Sequence, residues 1–184
     1  MDPDAYLCQL AEIFNGISVN TPSLSAIIAI ILAGLLLLAS GFASASEIAF
    51  FSLSPSDLND IEEGNHPSDG KISNLLADSE RLLATILITN NFVNVTIIML
   101  CNFFFMNVFV FHSPLAEFLI LTVILTFLLL LFGEIMPKIY SAQKTLAFCR
   151  FSAPVIYVLR KVFAPISAVL VLSLIHISEP TRRS

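Results

Sequence analysis

The stretch LAEFLILTVILTFLLLLFGEIMPK, Leu115 to Lys138, carries no charge between Glu117 and Glu134 and then ends abruptly in a Gly-Glu-Ile-Met-Pro-Lys run. A helix needs about 20 predominantly apolar residues to cross a bilayer, and this stretch supplies them. Glu134 closes the apolar run. A carboxylate at that depth costs about 2.5–3.5 kcal/mol or more unless a partner or water meets it, so Glu134 reads as a functional position.

Two further stretches have the same character, Leu24 to Phe51 and Leu82 to Phe111, and with Leu115 to Met136, which Pro137 closes, they make three spans. None alternates as a barrel strand does, so helices satisfy the backbone in lipid. The chain is 57% hydrophobic and only 12% charged over 184 residues, with mean hydropathy +0.88, which excludes an ordinary soluble domain. The expected fold is an all-α membrane protein of three transmembrane helices with short cytoplasmic belt helices. The first stretch lacks a basic leader and is too long for a signal peptide, so it is read as a retained span.

Lys and Arg are absent from Met1 to Gly70, whereas Lys138, Lys144, Arg150, Arg160 and Lys161 crowd in after the third span. The positive-inside rule then predicts a cytoplasmic C-terminal side and an N-terminus outside, in a bacterial inner membrane. Residues 1–23 form a short extracytoplasmic segment. Cys8, Cys101 and Cys149 lie in separate segments and form no C-x-x-C pair, so neither a disulfide framework nor a soft-metal site is expected. The net charge of −5, with no basic stripe, gives nucleic acid nothing to hold. No metalloprotease or nucleophile-elbow motif appears, so no enzyme is expected.

The run LSLIHISEPTR, Leu172 to Arg182, is what one reading frame of a common transposase-based sequencing adapter encodes. Residues 172–184 are therefore read as foreign, the reading frame as cut, and His176, Glu179, Arg182 and Arg183 as without function.

Between the first two spans, Ser54-Pro55-Ser56-Asp57 predicts a helix start, with Ser54 at the N-cap, Pro55 at N1 and Asp57 at N3. That helix is predicted to stop near Gly64. After a His66-Pro67 and Asp69-Gly70 loop, a lead-in helix from about Ile72 runs into the second span. Ser113-Pro114 starts the third span, with Glu117 one turn in, where the helix dipole suits it. After Pro137, the segments Lys138 to Arg150 and Pro154 to Val171 are read as belt helices at the membrane surface, with a re-entrant or spanning path left open for the second.

Pro137 has no N–H, which in an α-helix leaves the Gly133 carbonyl without a donor, beside Glu134. Asn90 and Asn94 are four residues apart on one face of the second span. Asn102 and Asn107 are read as helix-to-helix glue. Ser40, Ser44 and Glu47 form one stripe of the first span, where Ser44 offers a hydroxyl on a helix made thin by Gly41, Ala43 and Ala45. Glu47 lies within reach of water or Lys138. One carboxylate, two amide oxygens, a hydroxyl and a backbone carbonyl make an all-oxygen set with a single negative charge. Hard cations such as magnesium or calcium take such ligands.

Phe42-Ala43-Ser44-Ala45-Ser46-Glu47-Ile48-Ala49, Thr89-Asn90-Asn91-Phe92-Val93-Asn94 and Phe132-Gly133-Glu134-Ile135-Met136-Pro137-Lys138 resemble, in order, the three signatures of the cyclin M and CorB/CorC magnesium-transporter transmembrane domain. The resemblance covers residues 24–171 and is nearest to a gliding-motility-associated bacterial branch. It implies a homodimer and a central Mg2+ site of Ser44, Asn90, Asn94, the Gly133 carbonyl and Glu134. It also implies Mg2+ export coupled to Na+, and paired CBS domains binding adenine nucleotide that the cut would have removed. The alternative is a non-transporting scaffold, an accessory subunit of a gliding or secretion machine.

Overall fold

The computed structural model describes residues 17–111 and 113–164. The segment before Ile17, the far end of the belt beyond residue 164 and the 172–184 run lie outside the described residues. In chain order the elements are β1 (Ile17–Val19), α1 (Leu24–Phe51), α2 (Pro55–Glu62), α3 (Asp69–Leu76), α4 (Ser79–Val108), β2 (Phe109–Phe111), α5 (Pro114–Leu128), a π-helical segment (Leu129–Ile135), α6 (Met136–Gln143) and α7 (Thr145–Val162).

Three helical stretches are long and apolar enough to cross a membrane, at Leu24–Phe51, Ser79–Val108 and Glu117–Gln143, so the chain is an all-α, multi-pass membrane protein. At about 1.5 Å per residue, α1 and α4 run roughly 40–45 Å, beyond a hydrocarbon core of about 30 Å. Their overrun builds a second layer. There Ala49 and Phe50 of α1, Ile61 of α2, Ile72 and Leu75 of α3, Leu82 and Ile86 of α4, and Cys149, Ala153 and Ile156 of α7 form one buried cluster. A second cluster, between the three membrane-length helices, joins Ala33, Val93, Ile97, Cys101 and Leu125.

The start signals act as their chemistry predicts. Ser54 Oγ accepts from the Asp57 N–H at 3.2 Å while the Ser54 N–H donates to Asp57 Oδ2 at 2.9 Å, a complete capping box with Pro55 in the first turn. The helix ends before Gly64, whose φ of +68° is the left-handed conformation that glycine adopts without strain. Pro114 opens α5, and the Glu117 N–H bonds the Ser113 carbonyl.

Several boundaries differ from the sequence reading. The lead-in helix does not run into the second span: α3 ends at Leu76, and Asp78 caps a new helix by accepting from the Arg81 N–H. Phe109–Phe111 is not helical but pairs antiparallel with β1, Ile17 opposite Phe111 and Val19 opposite Phe109. A partner strand from before the first span is a long-range cause that the apolar run cannot reveal. Past Pro137 the helix continues to Gln143, with Pro137 directly after the π-helical segment, where the hydrogen-bond ladder changes register. The break falls at Lys144 and α7 runs straight through Pro154, so the division between the two predicted segments moves from residues 150–154 back to Lys144.

Candidate cation site

The middle of α1 is lined by small residues, with Ser40, Gly41, Ala43, Ser44 and Ala45 all buried. Small side chains let helix backbones approach closely where lipid offers no hydrophobic drive. A Cβ on Gly41 would lie 2.9 Å from Pro137 Cγ and 3.2 Å from the Phe132 carbonyl oxygen, and one on Gly133 would lie 3.1 Å from Ser40 Oγ. These glycines set the third span directly against α1.

The π-helical segment sits at this crossing. The Met136 N–H bonds the Leu131 carbonyl, five residues back. Pro137, which has no N–H to continue this register, follows directly, and the Phe132 carbonyl oxygen adjoins Gly41. Single π turns inside α-helices recur at functional sites, and this one precedes Glu134-Pro137.

Opposite Gly133, Ser40 Oγ donates toward two amide oxygens of α4, Asn90 Oδ1 at 2.9 Å and Asn94 Oδ1 at 2.6 Å. Three oxygens therefore share one hydroxyl proton near mid-length of two apolar helices. One turn further along α1, Ser44 Oγ is buried and the one such side-chain atom without a partner among the described residues. Its neighbours in the spans behave differently: Ser46, Thr85, Thr89 and Thr96 each return their hydroxyl to a carbonyl four residues back.

Glu134 belongs to a second, charged group. Its Oε1 is 3.3 Å from Lys138 Nζ, and the same ammonium lies 3.1 Å from Glu47 Oε2 on α1. The structure thus brings Ser40, Asn90, Asn94 and Gly133 together, leaves Ser44 one turn away, and pairs Glu134 with Lys138. Sequence reasoning put the hydroxyl at Ser44 and passed over Ser40, although Ser40 heads the same stripe. Asn102 is exposed, and Asn107 bonds the Phe103 carbonyl of its own helix. No group of three His, Cys, Asp or Glu residues that could hold a metal occurs among the described residues. A hard cation between α1 and α4 would meet the neutral oxygens of Ser40, Asn90 and Asn94.

Outside the spans, Arg150 grips Asp69 with Nε to Oδ1 at 2.8 Å and Nη2 to Oδ2 at 3.1 Å. Asp69 Oδ2 also accepts from the His66 N–H. The Arg150 hydrogen bonds hold the Asp69 carboxyl below its ordinary value, against the opposing effect of burial.

Three membrane-length helices, a π-helical segment in the third and a polar node of Ser40, Asn90 and Asn94 between the first two define a multi-pass membrane protein. The chain matches the Cyclin M transmembrane N-terminal domain over residues 30–182, a range that takes in most of the run read above as adapter-encoded. It belongs to that family. It is also 32% identical over 130 residues to a UPF0053 protein of Haemophilus influenzae, an alignment covering 71% of this chain and 30% of the relative.

Proposed function

We propose that this chain is the membrane domain of a divalent-cation transporter, and that its cargo is Mg2+, exported across a bacterial inner membrane and coupled to Na+ entry. It works as a homodimer with the belt helices on the cytoplasmic side, where Lys144, Arg150, Arg160 and Lys161 lie. The ligands are Asn90, Asn94, Ser44, the Gly133 carbonyl and Glu134, joined by Ser40. Control by adenine nucleotide, through the CBS domains that the resemblance implies, belongs to the same proposal.

The observation that carries this reading is the node in which the Ser40, Asn90 and Asn94 oxygens share a single proton. Two amide oxygens turned toward one hydroxyl present more lone pairs than donors, and the unpartnered Ser44 Oγ adds another. A hard cation supplies what such a set lacks. With one carboxylate, Mg2+ is held partly hydrated and weakly enough to leave again, as transport requires.

Mg2+ flux into proteoliposomes tests the reading. Glu134→Gln abolishes flux while the protein keeps its fold; flux at the wild-type rate removes Glu134 from the site. A scaffold predicts something else, namely that Mg2+ leaves hydrogen exchange around Asn90 and Glu134 unchanged.

A further inference from the structure

Lys138 places one ammonium between two carboxylates on different helices, 3.3 Å from Glu134 Oε1 and 3.1 Å from Glu47 Oε2. Its side chain is 27% exposed, against 45% for Glu134 and 34% for Glu47, so the cation is the most enclosed member of the trio. Glu134 and Lys138 stand one helical turn apart with the acid N-terminal, the favourable order for such a pair. Among the described residues, no other cation pairs with either acid.

A divalent ion that takes Glu134 as a ligand must share the carboxylate that Lys138 already pairs with through Oε1. Mg2+ binds oxygen at about 2.0–2.1 Å in a strict octahedron, and an ammonium on the same carboxylate opposes it by direct repulsion. We propose that Lys138 is a tethered cation that competes with the transported ion for Glu134 and passes to Glu47 when the ion binds. This rests on Glu134 being an ion ligand, and adds to it a positioning role for Lys138 and Glu47 in setting affinity and release.

The charges support the hand-off. With Lys138 shared, one ammonium faces two carboxylates and the trio keeps a net negative charge that favours an arriving cation; with the ion on Glu134, Lys138 keeps Glu47 paired. Neither stage leaves an unpaired carboxylate or ammonium at membrane depth, where it would be costly. Lysine suits the task better than arginine, since a compact charge on a flexible stem can change partners while a planar fork commits to one.

Titration calorimetry of Mg2+ into the full chain in lipid nanodiscs, at fixed Na+, tests the hand-off. Lys138→Gln is expected to bind Mg2+ about tenfold tighter, the factor that ~1.4 kcal/mol of lost competition yields. Glu47→Gln, which leaves the lysine to Glu134 alone, is expected to bind weaker by a similar factor. Lys138→Arg keeps the competing charge and is expected not to show the tighter binding of Lys138→Gln. Unchanged or weaker binding in Lys138→Gln, or unchanged or tighter binding in Glu47→Gln, overturns the proposal; if Lys138→Gln does not fold, Glu47→Gln decides alone. Glu134→Gln separates the two levels. Its loss of binding beside an unaltered Lys138→Gln removes only the hand-off, whereas wild-type binding by Glu134→Gln removes the ligand assignment beneath it.

Discussion

Ser40 Oγ stands 2.6 Å from Asn94 Oδ1, while Ser44 Oγ, one turn along the same face of α1, is buried without a partner among the described residues. The two hydroxyls therefore respond differently to the same substitution. Ser40→Ala leaves two amide oxygens without their shared donor and destabilises the protein by about 1 kcal/mol. Ser44→Ala removes a desolvated, unpaired hydroxyl and stabilises it by a similar ~1 kcal/mol. Both weaken Mg2+ binding if both line the site. Thermal melting with and without Mg2+ separates the effects, and destabilisation by Ser44→Ala would mean that its hydroxyl has a protein partner.

Gly133 and Gly34 make a matched pair of alanine substitutions. A Cβ on Gly133 meets Ser40 Oγ at 3.1 Å, and Ser40 cannot yield without leaving Asn90 or Asn94, whereas nothing lies within 4 Å of a Cβ on Gly34. Gly133→Ala is expected to cost about 1–3 kcal/mol through overpacking and to weaken Mg2+ binding. Gly34→Ala gains up to about 1 kcal/mol of helix propensity and leaves binding alone. Equal melting temperatures for the two variants would show that the third span does not press on Ser40.

Acid should loosen the belt before the spans. Arg150 holds Asp69 below the ordinary carboxylate range, and the Ser54 hydroxyl does the same for Asp57. A carboxyl lowered on folding contributes stability that is complete above its unfolded-state value, about 3.9, and is lost as pH falls through its folded value. The belt is accordingly stable from pH 8 to 5 and loses helicity only below about pH 4. Circular dichroism melts at pH 7, 5 and 3 read this directly. In Asp69→Asn the dependence shrinks to the part that Asp57 supplies, and an unaltered acid limb in that variant would acquit Asp69.

Local chemistry explains why some of this architecture could be read from the chain and some could not. The three spans follow from length and apolarity, and the start of α2 from Ser54, Pro55 and Asp57, because each signal acts within a few residues of itself. Phe109–Phe111 was unreadable because its strand partner precedes the first span, and the uninterrupted helix through Pro154 because tertiary packing overrides a local breaker. Of the candidate site only residue types are legible in the chain: Asn90 and Asn94 stand out by spacing, and Glu134 by its cost in lipid. Which α1 hydroxyl meets the amides depends on the helix crossing that Gly41 and Gly133 permit. The π register at Leu129–Ile135 likewise depends on that crossing, and no residue count along α1 foretells it.

Cys149 can report whether the Asp69–Arg150 clasp holds the belt shut. It packs with Ile72, Leu75 and Ile156 in the belt cluster, and burial pushes its thiol up to about 12, a shift that Arg150 only partly offsets. Alkylation needs both access and thiolate, and at pH 8 a thiol with that value is ionised to only about one part in ten thousand. Native Cys149 should therefore stay unmodified by N-ethylmaleimide while the clasp is closed. Asp69→Asn removes the charge that Arg150 pairs with and should raise the modification rate at least tenfold, because the belt then opens more often and each opening restores an ordinary thiol. Cys101, buried within the α4 span, should stay silent in both proteins and serves as the internal control. Peptide mass spectrometry distinguishes the sites, and free-thiol reactivity of Cys149 in the wild-type protein would mean that the belt is open irrespective of Asp69.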